Sequence, residues 1–319
     1  MPESNQPLLV ITGPTAVGKS DLALEVAERL GGEIVSADSR LVYRYLDVGT
    51  AKPGLDERVR VPHHLIDVAY PHELYSIARY RHEAEQALQT VVARGRAPIV
   101  AGGSPHYLQA LVDRLEPAGQ SPPLRRWLER QEQAGRCEML DRWLQALDPT
   151  AAGQIDRRNR RRVLRAIEVA LVTGRPFSEA GRRRAGPVPA LWIGLRRDRE
   201  ELRQRVERRV AAMLAAGWLE EVRTLLFMGY APGLPSMSAH GYGELAHVVH
   251  GEWNLDEATE RIVRATHAFE RRQGTWFRSE PRLHWLDADH PDVANWVIAA
   301  WHEFLHNRSQ LSSDSAHES

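Results

Sequence analysis

The sequence predicts an α/β fold, in which a helical insertion interrupts a core built on a parallel sheet. Three observations lead to this fold class. Four short apolar runs typical of buried strands alternate with stretches of helical periodicity. Three of these runs end in glycine or polar residues, as in open sheets that bind ligands at the carboxyl ends of their strands. A long segment in the middle of the chain has helical patterns and no strand pattern.

The predicted strands are LLVIT at 8–12, EIVSA at 33–37, APIVA at 97–101 and ALWIGL at 190–195. Their spacing divides the chain into four segments, which are a first core part (1–115), the helical insertion (116–189), the remaining core (190–305) and a polar tail (306–319). We expect the tail to be disordered because it carries few apolar residues.

Two helices have clear end signals. RRRVLRAIEVALVT carries an apolar stripe and is followed by Gly174, a residue suited to the left-handed conformation that ends many helices. DREELRQRVERRVAAMLAAG begins with Asp198 and Glu201 in the positions of a capping box and ends at Gly217. Both predict long amphipathic helices.

Composition excludes several classes of protein. Acidic and basic residues balance at 42 each, so no global field attracts nucleic acid or membrane. The opening residues carry no basic leader, and no apolar run reaches membrane-spanning length, which predicts a cytoplasmic protein without a membrane partner. Cys137 is the single cysteine, which excludes an internal disulfide and a zinc finger built on CxxC pairs.

The first predicted strand leads into a G-x-x-x-x-G-K-[ST] motif and then a helix, which is the context that makes this motif specific. It predicts a P-loop NTPase-like core that binds a di- or triphosphate through backbone N–H groups. We expect Lys19 to reach a terminal phosphate and Ser20 to ligate Mg²⁺, the predicted cofactor. The predicted diphosphate-binding residues are Gly13, Pro14, Thr15, Ala16, Val17, Gly18, Lys19 and Ser20.

Asp38 follows the second predicted strand and therefore lies at the mouth of the sheet. A carboxylate there can help to hold Mg²⁺, as in many ATPases, or act as a general base. Position alone leaves both roles open, and so leaves the reaction open.

An arginine-rich helix is the only strong local positive charge. Six arginines crowd the stretch RRNRRRVLRAIE, with no acidic partner before Glu168. Such a face suits nucleic-acid phosphates, although a solvated helix face is the ordinary explanation of a charge run. The six are Arg157, Arg158, Arg160, Arg161, Arg162 and Arg165.

Eight stretches taken together, in order, resemble the bacterial type of tRNA dimethylallyltransferase, the IPP transferase family. They extend from residue 13 to residue 278 and are GPTAVGKS, SADSRLVY, VGTAKP, VPHHLIDV, AGGSPHYLQAL, RRVLRAIEV, GYGEL and RRQGTWFR. The resemblance implies transfer of a dimethylallyl group from dimethylallyl diphosphate to N6 of the adenosine at tRNA position 37, next to the anticodon. The products would be N6-isopentenyladenosine and diphosphate.

The same resemblance implies roles for individual residues. Asp38 would accept the N6 proton, and the hydroxyl of Ser104 would lie beside the leaving oxygen and the amine. Lys19 and Arg209 would contact the diphosphate and complete the catalytic set. Thr50 and Lys52 of GTAKP would line the same pocket. The implied tRNA-binding residues are Asp38, Ser39, Arg40, Leu41, Ser104, Arg161, Arg162, Val163, Leu164, Arg165, Arg272 and Gln273.

The chain departs from the family pattern at a few positions. Leu41 stands where glutamine is usual, Pro105 and His106 replace a glycine and a leucine, and Arg161 replaces a glutamine. We expect the partners to be a tRNA anticodon loop and dimethylallyl diphosphate, and the protein to be a monomer. Three alternatives remain open at this point: a small-molecule kinase with ATP in the loop, prenylation of free AMP or ATP, and an RNA-binding switch without chemistry.

Overall fold

The computed structural model describes residues 6–115, 119–179 and 186–317, with side chains up to residue 310. The chain forms two compact units. Unit 1 consists of Met1–Val112 and Val188–Ser319, and unit 2 consists of Asp113–Pro187. Unit 2 corresponds to the predicted insertion, with each bound two or three residues earlier in the chain.

Unit 1 is built on a parallel sheet, which confirms the predicted fold class. In the described residues the sheet has six strands in the order β3-β2-β4-β1-β5-β6. Two strands escaped prediction, because one spans two residues and the other is partly exposed. The strands are β1 Leu8–Thr12, β2 Glu33–Ser36, β3 His63–His64, β4 Pro98–Gly102, β5 Ala190–Arg196 and β6 Leu283–Asp287.

Helices connect the strands of unit 1 and make up unit 2. The described chain has the following helices: α1 Lys19–Leu30, α2 Leu55–Arg60, α3 Ile77–Ala93, α4 Pro105–Val112, α5 Pro122–Gln133, α6 Cys137–Leu147, α7 Pro149–Gln154, α8 Arg160–Thr173, α9 Arg199–Ala215, α10 Trp218–Phe227, α11 Tyr242–Val249, α12 Leu255–Arg278 and α13 Val293–His317. Short 3₁₀ turns occupy Phe177–Glu179 and Ser236–Ser238.

The sheet of unit 1 is buried on both faces. Side chains alternate along β1, so Leu8 and Val10 enter one apolar cluster while Leu9 and Ile11 enter the other. The first cluster takes in residues of α3, α4, α10, α11 and α12, and the second takes in residues of α1 and α13. With helices on both faces of the sheet, the carboxyl ends of the strands remain open, and ligands bind at these ends in such folds.

The end of the chain differs from the predicted disordered tail over residues 306–317. Helix α13 begins at Val293 and continues to His317. Val297 and Trp301 are buried against the sheet, which fixes the first turns of the helix. Since each further turn of a formed helix costs little, the polar residues continue the same helix. Residues 318–319 lie outside the described residues.

No helix in the described parts of the chain is both long and apolar enough to span a bilayer.

Candidate functional site

The phosphate loop connects β1 to α1 at the open edge of the sheet. Gly13 has φ +150°, and a Cβ atom there would lie 2.8 Å from the carbonyl oxygen of Leu195. Gly18 has φ +105° at the residue before α1. Both positions therefore require glycine, and the loop presents the amino terminus of α1 as predicted.

Three cationic side chains hold the loop through its carbonyl oxygens. Arg205 Nε donates to Ala16 O at 2.9 Å, and Arg197 Nε donates to Val17 O at 3.3 Å. Lys19 Nζ donates to Pro14 O at 3.3 Å. Because its carbonyls are tied down, the loop has a fixed shape before any anion binds, and its N–H groups are organised in advance.

Lys19 and Arg209 both interact electrostatically with Asp38. Burial is the main cause that lowers the pKa of Lys19 to about 8, and the nearby Arg209 lowers it further while Asp38 opposes the shift. Burial also lowers the pKa of Arg209, again against the attraction of Asp38 and Asp21. These two cations are held together at a cost that a bound anion would offset.

A cavity of about 560 Å³ opens beside the phosphate loop. Lys19 and Ser20 line one side of it, and arginines of α9 line another, so basic groups outnumber the acidic groups of Asp21 and Glu57. Of these arginines, Arg208 is already paired with Glu201. The arrangement suits a diphosphate, whose charge exceeds that of one carboxylate.

A second cavity, of about 140 Å³, also contacts Arg209. Its polar lining includes Asp38 and Ser104, and Arg209 lines both this cavity and the first one. Its apolar lining comes from Val206, Val210, Met213, Trp218 and Phe269. The structure thus places a carboxylate and a hydroxyl beside an apolar space, next to a cationic one.

Asp38 and Ser104 belong to one hydrogen-bonded arrangement. Asp38 Oδ1 accepts from Arg40 N at 2.8 Å, whereas its Oδ2 has no hydrogen-bond partner in the described residues. Ser104 Oγ accepts from Ser39 N at 3.0 Å, and its own hydroxyl proton remains to be donated. Ser104 also stands before α4, but its side chain bonds to the Asp38 loop rather than to an N–H of that helix.

Gln273 has a structural role that the sequence did not predict. It was expected to contact tRNA, but its side chain is buried and only 5% of the residue is exposed. Its Oε1 accepts from Thr15 N at 2.9 Å, and its Nε2 donates to Gly103 O at 2.6 Å. The amide therefore joins the phosphate loop to the segment that carries Ser104, and Gln273 also lines the second cavity.

The other predicted tRNA residues of unit 1 keep partly accessible side chains. Arg40 donates through Nη1 to Pro235 O at 2.9 Å, and its backbone leads into the half-buried Leu41. Arg272 is exposed, with its guanidinium 5.8 Å from the ring centroid of Phe269. Arg40 lines the second cavity, and so does Phe269, the ring that Arg272 approaches.

The two residues of GTAKP take different roles. Thr50 lines the second cavity, and its carbonyl oxygen accepts from Arg209 Nη2 at 3.4 Å. Lys52 also contributes to the lining of the first cavity, but its side chain is only 2% exposed and its Nζ bonds to Tyr43 O, Asp47 Oδ1 and Asp67 Oδ1. With its three donors used, Lys52 is a structural cation.

Sequence reasoning missed Trp218 and Glu221, which shape the wall of the second cavity. Glu221 accepts from the backbone N–H groups of residues 47–49, which fixes the loop before Thr50. A Cβ at Gly49 would lie 1.9 Å from Trp218 Nε1, and one at Gly241 would lie 2.1 Å from the same indole. The glycines of VGTAKP and GYGEL were the available sequence signal for this packing, since a side chain at either position would overlap the Trp218 indole.

Unit 2 uses much of its arginine charge internally, contrary to the expected absence of acidic partners. Arg160 pairs with Glu132 and Asp141, and Arg165 pairs with Glu168. Arg158 pairs with Asp156. Of the six arginines in RRNRRRVLRAIE, the exposed ones that form no ion pair in the described residues are Arg157, Arg161 and Arg162.

Val163 and Leu164 were predicted to bind tRNA, and the structure corrects this. Their side chains are buried in the apolar core of unit 2, together with Leu128 and Leu140. A nucleotide could reach them only if α8 left that core.

The residues of the first cavity bear on the predicted Mg²⁺ site. No group of three or more His, Cys, Asp or Glu side chains that could hold an ion occurs in the chain as described. Ser20 and Asp21 are exposed at the start of α1 and line the first cavity. One hydroxyl fits Mg²⁺, because this ion keeps most of its waters and takes further oxygens from a bound phosphate.

Comparison with known proteins identifies the family. A family model described as IPP transferase matches residues 41–280, three quarters of the chain. The chain belongs to the IPP transferase family. A tRNA dimethylallyltransferase of Thermomicrobium roseum is 44% identical over 309 residues, which cover 96% of this chain and 92% of that protein. One from Pelotomaculum thermopropionicum is 44% identical over 285 residues, with 88% and 90% covered.

Solved structures agree with this membership of the IPP transferase family. The tRNA isopentenylpyrophosphate transferase of Bacillus halodurans superposes with a TM-score of 0.72 at 33% identity, covering 96% of this chain and 99% of that one. A eukaryotic dimethylallyltransferase described as acting on tRNA has a TM-score of 0.81 at 26% identity, with 95% and 80% covered.

Proposed function

We infer that this protein is a tRNA dimethylallyltransferase, which transfers a dimethylallyl group from dimethylallyl diphosphate to N6 of adenosine 37 in tRNA. The single observation that carries this conclusion is the pair of cavities lined by Arg209. One is cationic and suits a diphosphate, and the other combines an apolar wall with a free carboxylate oxygen. Family membership and the names of the relatives support the same reaction.

The proposed reaction depends mainly on stabilising the negative charge of the leaving diphosphate. The allylic C–O bond breaks and its electron pair leaves with the diphosphate, while the N6 lone pair forms the new C–N bond. Since an aromatic amine is a weak nucleophile, stabilising the departing charge is the main task. Lys19 and Arg209 line the first cavity beside the phosphate loop, which supports this role for them and for the loop N–H groups.

We propose that Asp38 takes the N6 proton, which keeps charge in balance as the bond forms. Its free Oδ2 is the available acceptor, and the Arg40 N–H bond to Oδ1 fixes the direction of the carboxylate. Ser104 has a hydroxyl proton to donate beside it, which supports a role in positioning the amine or the leaving oxygen.

The predicted cofactor is a proposal as well. Mg²⁺ bound through Ser20 and the substrate phosphates would neutralise part of the diphosphate charge. We also propose that the protein acts as a monomer on the anticodon loop of tRNA, where an unpaired adenosine leaves its stack at low cost.

The deciding experiment incubates the protein with Mg²⁺, dimethylallyl diphosphate and unmodified tRNA that carries adenosine next to the anticodon. Digestion and mass spectrometry of the nucleosides should show a five-carbon gain on that adenosine. No gain, with ATP-dependent phosphorylation of a small hydroxyl compound instead, would make the protein a kinase. A gain on free AMP or ATP and none on tRNA would move the reaction to free nucleotides.

A further inference from the structure

Four aromatic residues lie together on the surface of unit 1, and none of them lines either cavity. We call Tyr45, Tyr70, His72 and Tyr230 the ring cluster. The centroid distances are 6.2 Å for Tyr45–Tyr70, 6.4 Å for Tyr45–Tyr230, 5.8 Å for Tyr70–His72 and 6.1 Å for His72–Tyr230. The planes of the last two pairs are 14° and 9° apart.

Tyr45 occupies a backbone conformation that does not favour a tyrosine. Its φ is +68°, in the left-handed region where residues other than glycine are strained. The residue is 42% exposed and Tyr70 is 38% exposed, so burial does not repay this strain. A strained, exposed ring points to a role outside the stability of the fold.

A cation lies against the ring cluster. The guanidinium carbon of Arg44 is 4.6 Å from the ring centroid of Tyr70, and its Nη1 donates to Tyr70 OH at 3.0 Å. Glu73, an acidic residue on the segment of Tyr70 and His72, accepts from Tyr70 N and pairs with Arg79. The surface therefore offers flat rings and an exposed positive charge.

The ring cluster is attached to the segments that form the second cavity. Tyr45 follows Asp38 and Arg40 on one segment, and Tyr230 precedes His240 on another. The two segments are joined where Arg40 Nη1 donates to Pro235 O at 2.9 Å. The ring cluster and the second cavity are therefore built on the same two segments of the chain.

We propose that the ring cluster stacks unpaired bases of the tRNA loop that flank the acceptor adenosine. This rests on the proposed function. Single-stranded RNA is recognised by stacking on aromatic rings and arginine planes, which the ring cluster and Arg44 provide. The rings bind the faces of neighbouring bases, while the cavity takes the acceptor base.

The test uses Tyr45→Gly, because glycine removes the ring and relieves the positive φ, so the variant should fold at least as well. We expect the Kd for an unmodified anticodon stem-loop to rise about tenfold. The slope of log K against log salt should not change, because no cation is lost. Tyr45→Phe should bind as the wild type, and Trp296→Ala, which removes another exposed ring (60%) on α13, should have no effect.

Equal binding of the stem-loop by Tyr45→Gly and wild type would overturn the proposal. So would an equal loss of affinity for a duplex stem without a loop, or a loss of self-association with RNA binding intact, which would make the ring cluster a dimer contact. The result is independent of the reaction, since binding is measured without dimethylallyl diphosphate. Failure of the wild type to prenylate tRNA would count against the proposed function alone.

Discussion

Arginine plays opposite parts in the two units. Arg209 of unit 1 is half-buried, lines both cavities and has no ion-pair partner in the described residues. Arg160 of unit 2 is also half-buried, but Glu132 and Asp141 neutralise it. Because burying an unpaired charge is costly, the lack of a partner supports the proposed role of Arg209 in diphosphate binding, whereas the ion pairs of Arg160 join helices of unit 2. The density of positive charge in the sequence does not distinguish an unpaired arginine from a paired one. The acidic side chains that lie near each arginine in the folded chain do.

The sharpest way to break this comparison is Asp38→Asn, which removes the proposed base and keeps its shape. We expect kcat to fall roughly 100-fold or more, because a positioned base contributes that much. Affinity for dimethylallyl diphosphate should stay the same or increase, since a negative charge is lost near Lys19 and Arg209. Single-turnover kinetics with tRNA in excess measures the effect.

Asp21→Asn is the matched control for Asp38→Asn. Asp21 also attracts Arg209 and lines the first cavity, but it does not reach the second one. Its substitution should change kcat only a few-fold. If both variants lost activity equally, Asp38 would act through the field of the site and not as the base.

The pH dependence of diphosphate binding tests the unpaired charge on Lys19. Its pKa is lowered to about 8 in the free protein, and a bound diphosphate should raise it by favouring the charged form. Between about pH 7 and 8 affinity should be flat, because both Lys19 and the diphosphate are then largely charged. Above pH 8 binding must take up a proton, so Kd should rise by up to tenfold per pH unit until the pKa of the complex is passed.

Calorimetry in buffers of different ionisation enthalpy measures that proton uptake. Lys19→Arg keeps its charge throughout this range, so its affinity should be lower overall but flat with pH. In the ligand-free wild type, the protein's stability changes with pH in the opposite direction to its affinity. The free energy of unfolding should rise between pH 8 and 10.5, because the unfolded state then binds the proton more tightly. A wild-type Kd that stays flat above pH 8 would contradict the proposed role of Lys19.

Gln273→Ala removes the two hydrogen bonds that join the phosphate loop to the segment of Ser104. Truncation leaves Thr15 N–H and Gly103 C=O without their partner, so the free energy of unfolding should fall by about 1–3 kcal/mol. The KM for dimethylallyl diphosphate should rise about tenfold as the phosphate loop loosens. Arg272→Ala changes the neighbouring exposed residue and should raise only the KM for tRNA. A Gln273→Ala effect confined to the KM for tRNA would contradict a role of Gln273 in holding the phosphate loop.

The sequence was most informative where a local pattern determines geometry. The phosphate loop was predicted residue by residue, because glycines, lysine and serine at fixed spacing leave one backbone path. Four buried strands were found within a residue of their ends, since apolar runs mark them. Strand β3 has two residues, His63 and His64, and is paired through its backbone with β2. Such pairing leaves little trace in a single sequence.

The side-chain partners were beyond the sequence because they join distant segments. Gln273 bonds to residues 170 and 258 positions away, so nothing near it in the chain revealed its role. Likewise Glu132 and Asp141 precede Arg160 by 28 and 19 residues. A charge run read alone therefore overstates the positive charge that is free to bind a nucleic acid.

The smallest effect belongs to the exposed arginines of unit 2. Replacing Arg161 and Arg162 together by Ala should raise the KM for tRNA a few-fold and reduce the salt slope of binding by nearly two. The fold should be unaffected, because both side chains are exposed and form no ion pair in the described chain. Arg160→Ala should do the reverse. It should leave the salt slope nearly unchanged and lower the stability of unit 2 by about 2 kcal/mol, seen as faster amide exchange in α6 and α8. Should Arg160→Ala reduce the salt slope as much as the double variant does, the paired arginine would also be a phosphate contact, and ion pairing would not separate the two kinds of arginine.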